Sequence, residues 1–220
     1  MQQSIILLRR KREYVQTDEA GKRCGKMTTQ YDKEAVRKVT LLQFALISVL
    51  LLVAFGLYWL LVVRPNDTWI GLWPVAKSTA SWLWLIPGLT VPLLIAFIFF
   101  KLVSIAYLYD ENVRILADIY SLPFMAGYFF VNAFMEELLF RGALQCSIGL
   151  LPAAILFTLV HVSYYKKPLM LVEVFVLGLF IGWLFMMTQS LWLTTIAHAF
   201  YNWMLMWLIK TERIQYRPKV

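Results

Sequence analysis

The sequence predicts an all-α fold, a polytopic transmembrane helical bundle of about six spans with a polar intramembrane active site. Three observations predict it. Of 220 residues, 60% are hydrophobic and 15% charged, whereas a soluble domain is usually about half apolar and a quarter charged. The apolar residues fall in uninterrupted runs near the length that crosses a hydrocarbon core ~30 Å thick. The charges gather in the tails and between the runs, with one exception at "NAFMEELLFRG", positions 132–142.

Residues 1–40 hold ten Lys or Arg against five Asp or Glu and no run able to span. They read as a basic cytoplasmic tail. Met27 opens a second plausible start, and "SIILL" followed by "RRKR" does not make a signal peptide. The transmembrane domain occupies 41–210. Its first span, Leu41–Val63, has 23 residues without a charge, enough at ~1.5 Å per residue to cross. The second is Ser81–Phe100, continuing in apolar character towards Tyr109. Residues 110–121 mix Asp110, Glu111, Arg114 and Asp118 with apolar side chains and read as an amphipathic interfacial piece. The third span begins near Leu122, with Pro123 tolerable in a first turn, and runs into the Glu-Glu motif. The fourth covers Ser147–Tyr165 and ends at Lys166 and Lys167, the fifth is Pro168–Met187, and the sixth is Ser190–Ile209. A basic C-terminal tail, 211–220, follows.

The net charge of +8 belongs to the tails, which points to membrane lipid as the partner and not to nucleic acid. With the N-terminus inside, the cytoplasmic segments hold 18 of the 21 Lys and Arg. The positive-inside rule then places both termini in the cytoplasm of what we take to be a bacterial cell membrane. Trp59, Trp69, Trp73, Trp82, Trp84, Trp183 and Trp192 would gather at the opposite interface. Cys24 and Cys146 have no disulfide or metal spacing. Gly178 and Gly182 form a GxxxG, read as packing within the bundle in preference to a dimer face. Nothing here sets the oligomeric state.

Few strongly polar side chains lie in the spans: Asn132, Glu136, Glu137, Arg141, His161, Glu173, His198 and Asn202, including both histidines of the chain. An ionisable residue inside a membrane is expensive and is by default a functional-site hypothesis. Glu137 and Arg141 are i,i+4 on one face and can neutralise each other. Glu136 lies about 100° round the helix, so the same arginine does not serve both. One carboxylate is left without a cation of its own, a suitable general base beside a histidine. His198 and Asn202, again i,i+4, direct a ring N–H and an amide towards one point, as an oxyanion hole requires. His161 stands alone on its helix, one turn after Phe157. Glu173 lies five residues inside its span, near Lys166 and Lys167, and is left out of the site.

"EELLFR", "FTLVH" and "HAFYN" match EExxxR, FxxxH and HxxxN in that order. The chain thereby resembles the CPBP family of intramembrane proteases, which includes type II CAAX prenyl endopeptidases and bacterial proteins of the bacteriocin self-immunity type. The likeness covers roughly residues 122–209. It implies an endopeptidase acting on a peptide or protein in or at the membrane, prenylated or not. It implies that Glu136 and His161 activate water, that His198 and Asn202 stabilise the oxyanion, that Glu137 and Arg141 orient the site, and that Phe157 packs beneath His161.

Two histidines and two glutamates could also hold zinc, but there is no HExxH-type pair, and the family resemblance implies a glutamic mechanism with no cofactor and no metal. The competing function is a non-proteolytic immunity or assembly factor using the same cavity for binding. A proton-coupled transporter ranks below both, because no paired broken helices or inverted repeat are visible.

Overall fold

The computed structural model describes residues 11–13, 28–30, 33–73, 75, 78–102 and 116–211. They fall into two compact units, Met1–Leu46 and Ile47–Val220. In the first, Lys11–Glu13 pairs antiparallel with Thr28–Gln30, Arg12 opposite Thr29. Cys24, residues 110–115 of the 110–121 stretch and the tail beyond Thr211 lie outside the described residues.

Helix α1 runs Lys33–Tyr58 and continues through a π-helical turn, Trp59–Val63, into Arg64–Asn66. It starts at Lys33 and not at the expected Leu41, because hydropathy marks where a helix enters apolar surroundings, not where its hydrogen bonds begin. Helix α2, Leu85–Leu102, is entered through a 3₁₀ turn, Thr79–Trp84. Helix α3 is Leu122–Glu137, prolonged by a π-helical stretch, Leu138–Gln145, and by Cys146–Ile148. Its start is capped by the Ser121 hydroxyl, which accepts from the Phe124 N–H, with Pro123 in the first turn. Helix α4 is Leu150–Leu159, α5 is Pro168–Thr188 and α6 is Leu191–Lys210. Ser190 caps α6 by accepting from the Leu193 N–H.

Three described segments are long and apolar enough to cross a membrane: Val36–Asn66, Thr79–Leu102 and Pro168–Thr188. The expected fourth span, Ser147–Tyr165, is corrected. It breaks at Gly149, whose φ of 87° no α-helix accommodates, and ends at Leu159. The remaining ten residues reach ~15 Å, half of a hydrocarbon core. His161, expected within this helix, lies just past its end.

The second unit packs α1, α3, α5 and the start of α6 round Tyr58, Val62, Leu138, Ala143, Phe185 and Leu191. A second cluster joins Ala96 of α2, Leu177 of α5 and Tyr201 of α6. Large apolar side chains such as Leu52, Leu83 and Leu102 are exposed, the surface expected of helices that face lipid. Trp84 sits edge-on to Trp183 at 5.3 Å, and the Trp192 indole N–H donates to the Leu72 carbonyl.

Candidate active site

The site begins with a pair sealed in the protein interior. The Glu137 and Arg141 side chains are 0% and 3% exposed, with Nη1 3.1 Å from Glu137 Oε1. That contact is an ion pair too poorly aligned for a hydrogen bond. The guanidinium is instead held by donating Nη2–H to the Gly178 carbonyl of α5 at 3.1 Å and by lying 4.6 Å over the Phe157 ring of α4. One turn on, Gln145 Nε2 donates to the Gly182 carbonyl at 2.8 Å. Two side chains four apart on α3 thus meet two carbonyls four apart on α5. The glycines allow it, since a Cβ on Gly182 would come within 2.6 Å of Gln145 Oε1 and one on Gly178 within 3.1 Å of Phe157. The GxxxG face is therefore used inside the bundle. The π-helical stretch carries Arg141 and Gln145, and such widenings of α-helices are often found at functional sites.

Glu136 is in a different state. Its side chain is 19% exposed against 0% for Glu137, so of the two carboxylates it is the one a substrate can reach. Asn132, one turn before it, donates Nδ2–H to Glu136 Oε1 at 2.7 Å. His198 of α6 stands between the two glutamates: Nδ1–H donates to Glu137 Oε1 at 2.8 Å, and Nε2 is 3.6 Å from Glu136 Oε2. The sealed pair therefore also orients the His198 ring.

His161 owes its place to the way α4 ends. The last carbonyls of a helix need partners, and here Phe157 O takes His161 Nδ1–H at 2.6 Å, Thr158 O takes the His161 backbone N–H, and Leu159 O takes the Tyr165 hydroxyl. Because a carbonyl only accepts, Nδ1 carries the proton and the Nε2 of the neutral ring keeps its lone pair. Phe157 ties the site together, with ring centroids 4.8 Å from His161 and 6.0 Å from His198. No hydrogen bond or ion pair joins His161 to Glu136 among the described residues.

Gly149 separates the end of the α3 extension from α4 and lies twelve positions from both Glu137 and His161.

Residues 118–204 match the family model of the type II CAAX prenyl endopeptidases of the Rce1-like kind. The segment is similar to that family over this range. It holds α3 to most of α6 and all the motif residues named above. The uncharacterized protein YpbD of Bacillus subtilis (strain 168) is 33% identical over 96 residues, 42% of this chain and 50% of the relative. The chain thus spans about half the length of the curated relative it matches. No solved structure matches.

Two polar residues of the matched segment gain partners that the sequence reading did not assign. Asn132 was visible as an intramembrane amide, and its i,i+4 relation to Glu136 was the available signal for the bond it makes. Glu173, expected near the polar turn, is buried and accepts from the Tyr201 hydroxyl at 2.8 Å. Asn202 is half-buried one turn beyond His198, with no side-chain partner among the described residues. Nor do the described His, Cys, Asp and Glu side chains form a group of three able to hold a metal ion.

Proposed function

We propose that this chain is an intramembrane endopeptidase, hydrolysing a peptide bond in a membrane-associated or prenylated protein or peptide. The observation that carries this is the division of labour between adjacent glutamates. Glu137 is sealed against Arg141 and His198, while Glu136 is reachable and has no Lys or Arg partner among the described residues. A reachable carboxylate beside imidazoles, in surroundings that exclude bulk water, is suited to general-base work.

In the proposed reaction, water lies between Glu136 and His161 Nε2 and loses a proton to this pair as it attacks the scissile carbonyl. The tetrahedral oxyanion is met by His198 Nε2–H and the Asn202 amide. Since His198 Nδ1–H already serves Glu137, this role requires the imidazolium, and the two glutamates supply its counter-charge. Glu136 and His161 return the proton to the leaving amine.

Both termini are read as cytoplasmic, supported by the 18 of 21 Lys and Arg on that side, which has the short α4 together with the residues that follow it to Lys167 complete one crossing. A bacterial membrane is the setting that the Bacillus relative supports. In a chain with Cys24 and Cys146 replaced, a cysteine added at the C-terminus should label only after permeabilisation, and labelling in intact cells would reverse this topology.

The test of the reaction is cleavage by purified protein of a farnesylated CAAX peptide and of a native membrane peptidome. Glu136→Ala and His161→Ala should each abolish turnover while the protein still inserts. Wild-type turnover in Glu136→Ala would overturn the assignment. A cellular phenotype that survives substitution of Glu136, His161, His198 and Asn202 together would make this a binding factor instead.

A further inference from the structure

We propose that Asn132 is a positioning residue for Glu136, a neutral clamp that orients the carboxylate without cancelling its charge and keeps it from collapsing onto His198. The inference rests on the general-base role of Glu136 proposed above and adds to it a residue that none of the three motifs contains.

An amide side chain on a helix in an apolar setting is costly unless its hydrogen bonds are made. Asn132 lies one turn before Glu136 on α3 and gives Nδ2–H to Oε1 at 2.7 Å, a short contact of the charge-assisted kind. Glu136 has three side-chain torsions, and this bond fixes one of its two oxygens. The other, Oε2, is left 3.6 Å from His198 Nε2, beyond hydrogen-bond length. On the opposite edge of the same ring, Nδ1 reaches Glu137 at 2.8 Å. The histidine is therefore fully engaged by one glutamate and held short of the other.

That difference matters to the chemistry. If Oε2 closed on Nε2, the base and the oxyanion donor would neutralise each other and both would be withdrawn from substrate. The neighbouring carboxylate shows the alternative way of fixing a glutamate: Arg141 holds Glu137 with a full positive charge. A cation at position 132 would likewise fix Glu136, but would remove the charge that makes it a base. An amide donor supplies direction alone.

The test uses full-length purified protein carrying Asn132→Leu, a near-isosteric apolar change compatible with a membrane helix, and Asn132→Gln, which restores the amide on a longer arm. Misplacing a catalytic group by about 1 Å costs on the order of 10²-fold. Asn132→Leu should thus lower kcat by about that factor with KM unchanged within about twofold and the unfolding midpoint preserved, while Asn132→Gln recovers most of the loss. Wild-type kcat in Asn132→Leu, or equal losses in both variants, would overturn the proposal. An experimental structure of Asn132→Leu gives a readout independent of activity. Glu136 Oε2 should approach His198 Nε2 to hydrogen-bond length, and a separation still near 3.6 Å would refute the clamp. The general-base assignment fails separately, if Glu136→Ala still cleaves.

Discussion

Replacing Arg141 by methionine removes the charge at the centre of the site while keeping a flexible apolar chain of similar length. Glu137 then loses the guanidinium 3.1 Å away and retains His198 Nδ1 at 2.8 Å. Its carboxylate is 0% exposed, so water does not take the place of the lost cation. Removing one partner of a buried ion pair typically costs about 3–5 kcal/mol, because the remaining charge is left uncompensated. The surviving His198 contact argues for the lower end, about 3 kcal/mol, or roughly a hundredfold in the folding equilibrium. For a chain of this size that corresponds to a fall of about 6–12 °C in Tm, read by intrinsic tryptophan fluorescence in detergent or nanodiscs. The double variant Glu137→Gln/Arg141→Met leaves no orphan charge and should recover more than half of the loss. An Arg141→Met protein within about 2 °C of wild type, or a double variant no more stable than the single, would refute the account of a sealed pair.

Gly182→Ala would drive a Cβ into Leu150 and within 2.6 Å of Gln145 Oε1, displacing the side chain that binds the Gly182 carbonyl. A loss of about 1–3 kcal/mol is expected, visible as a lower Tm with unchanged oligomeric state; a shift in oligomeric state alone would restore the dimer reading. Gly178→Ala meets Phe157 at 3.1 Å and should cost less stability but reduce turnover, because Phe157 packs against both histidines. Tyr201→Phe leaves the buried Glu173 without its hydroxyl donor and should cost about 1–3 kcal/mol, with Glu173→Leu/Tyr201→Phe less destabilised than the single variant. Turnover of purified protein should survive a chelator, and activity lost to chelation and restored only by zinc would refute the metal-free mechanism.

Much of this protein was legible before any coordinates, because much of it is set by local composition. A run of apolar residues bounded by polar ones places α2, α5 and α6 within two residues of their ends: Ser81–Phe100 against Thr79–Leu102 (taken with its leading turn), Pro168–Met187 against Pro168–Thr188, and Ser190–Ile209 against Leu191–Lys210. Helical periodicity likewise paired Glu137 with Arg141 and gave Glu136 a separate face, since both residues of each comparison lie on one helix.

What escaped the sequence depends on contacts between distant segments or on single backbone angles. An apolar run from Ser147 to Tyr165 carries no mark of being cut at both ends. The cuts come from the positive φ of Gly149 and from His161 and Tyr165 taking the last carbonyls of α4. Asn132 was conspicuous as a polar residue but ambiguous in role, because its rotamer decides whether it meets Glu136 or another helix. The match of Arg141 and Gln145 to Gly178 and Gly182 spans 37 residues of chain, and nothing local to either pair specifies the other. The sequence by itself determined which segments enter apolar surroundings and which charges they carry, since hydropathy and i,i+4 spacing are properties of a single helix. Only the tertiary structure decided which glutamate is sealed and which is open, because that depends on how α5 and α6 close over one side of α3 and not the other.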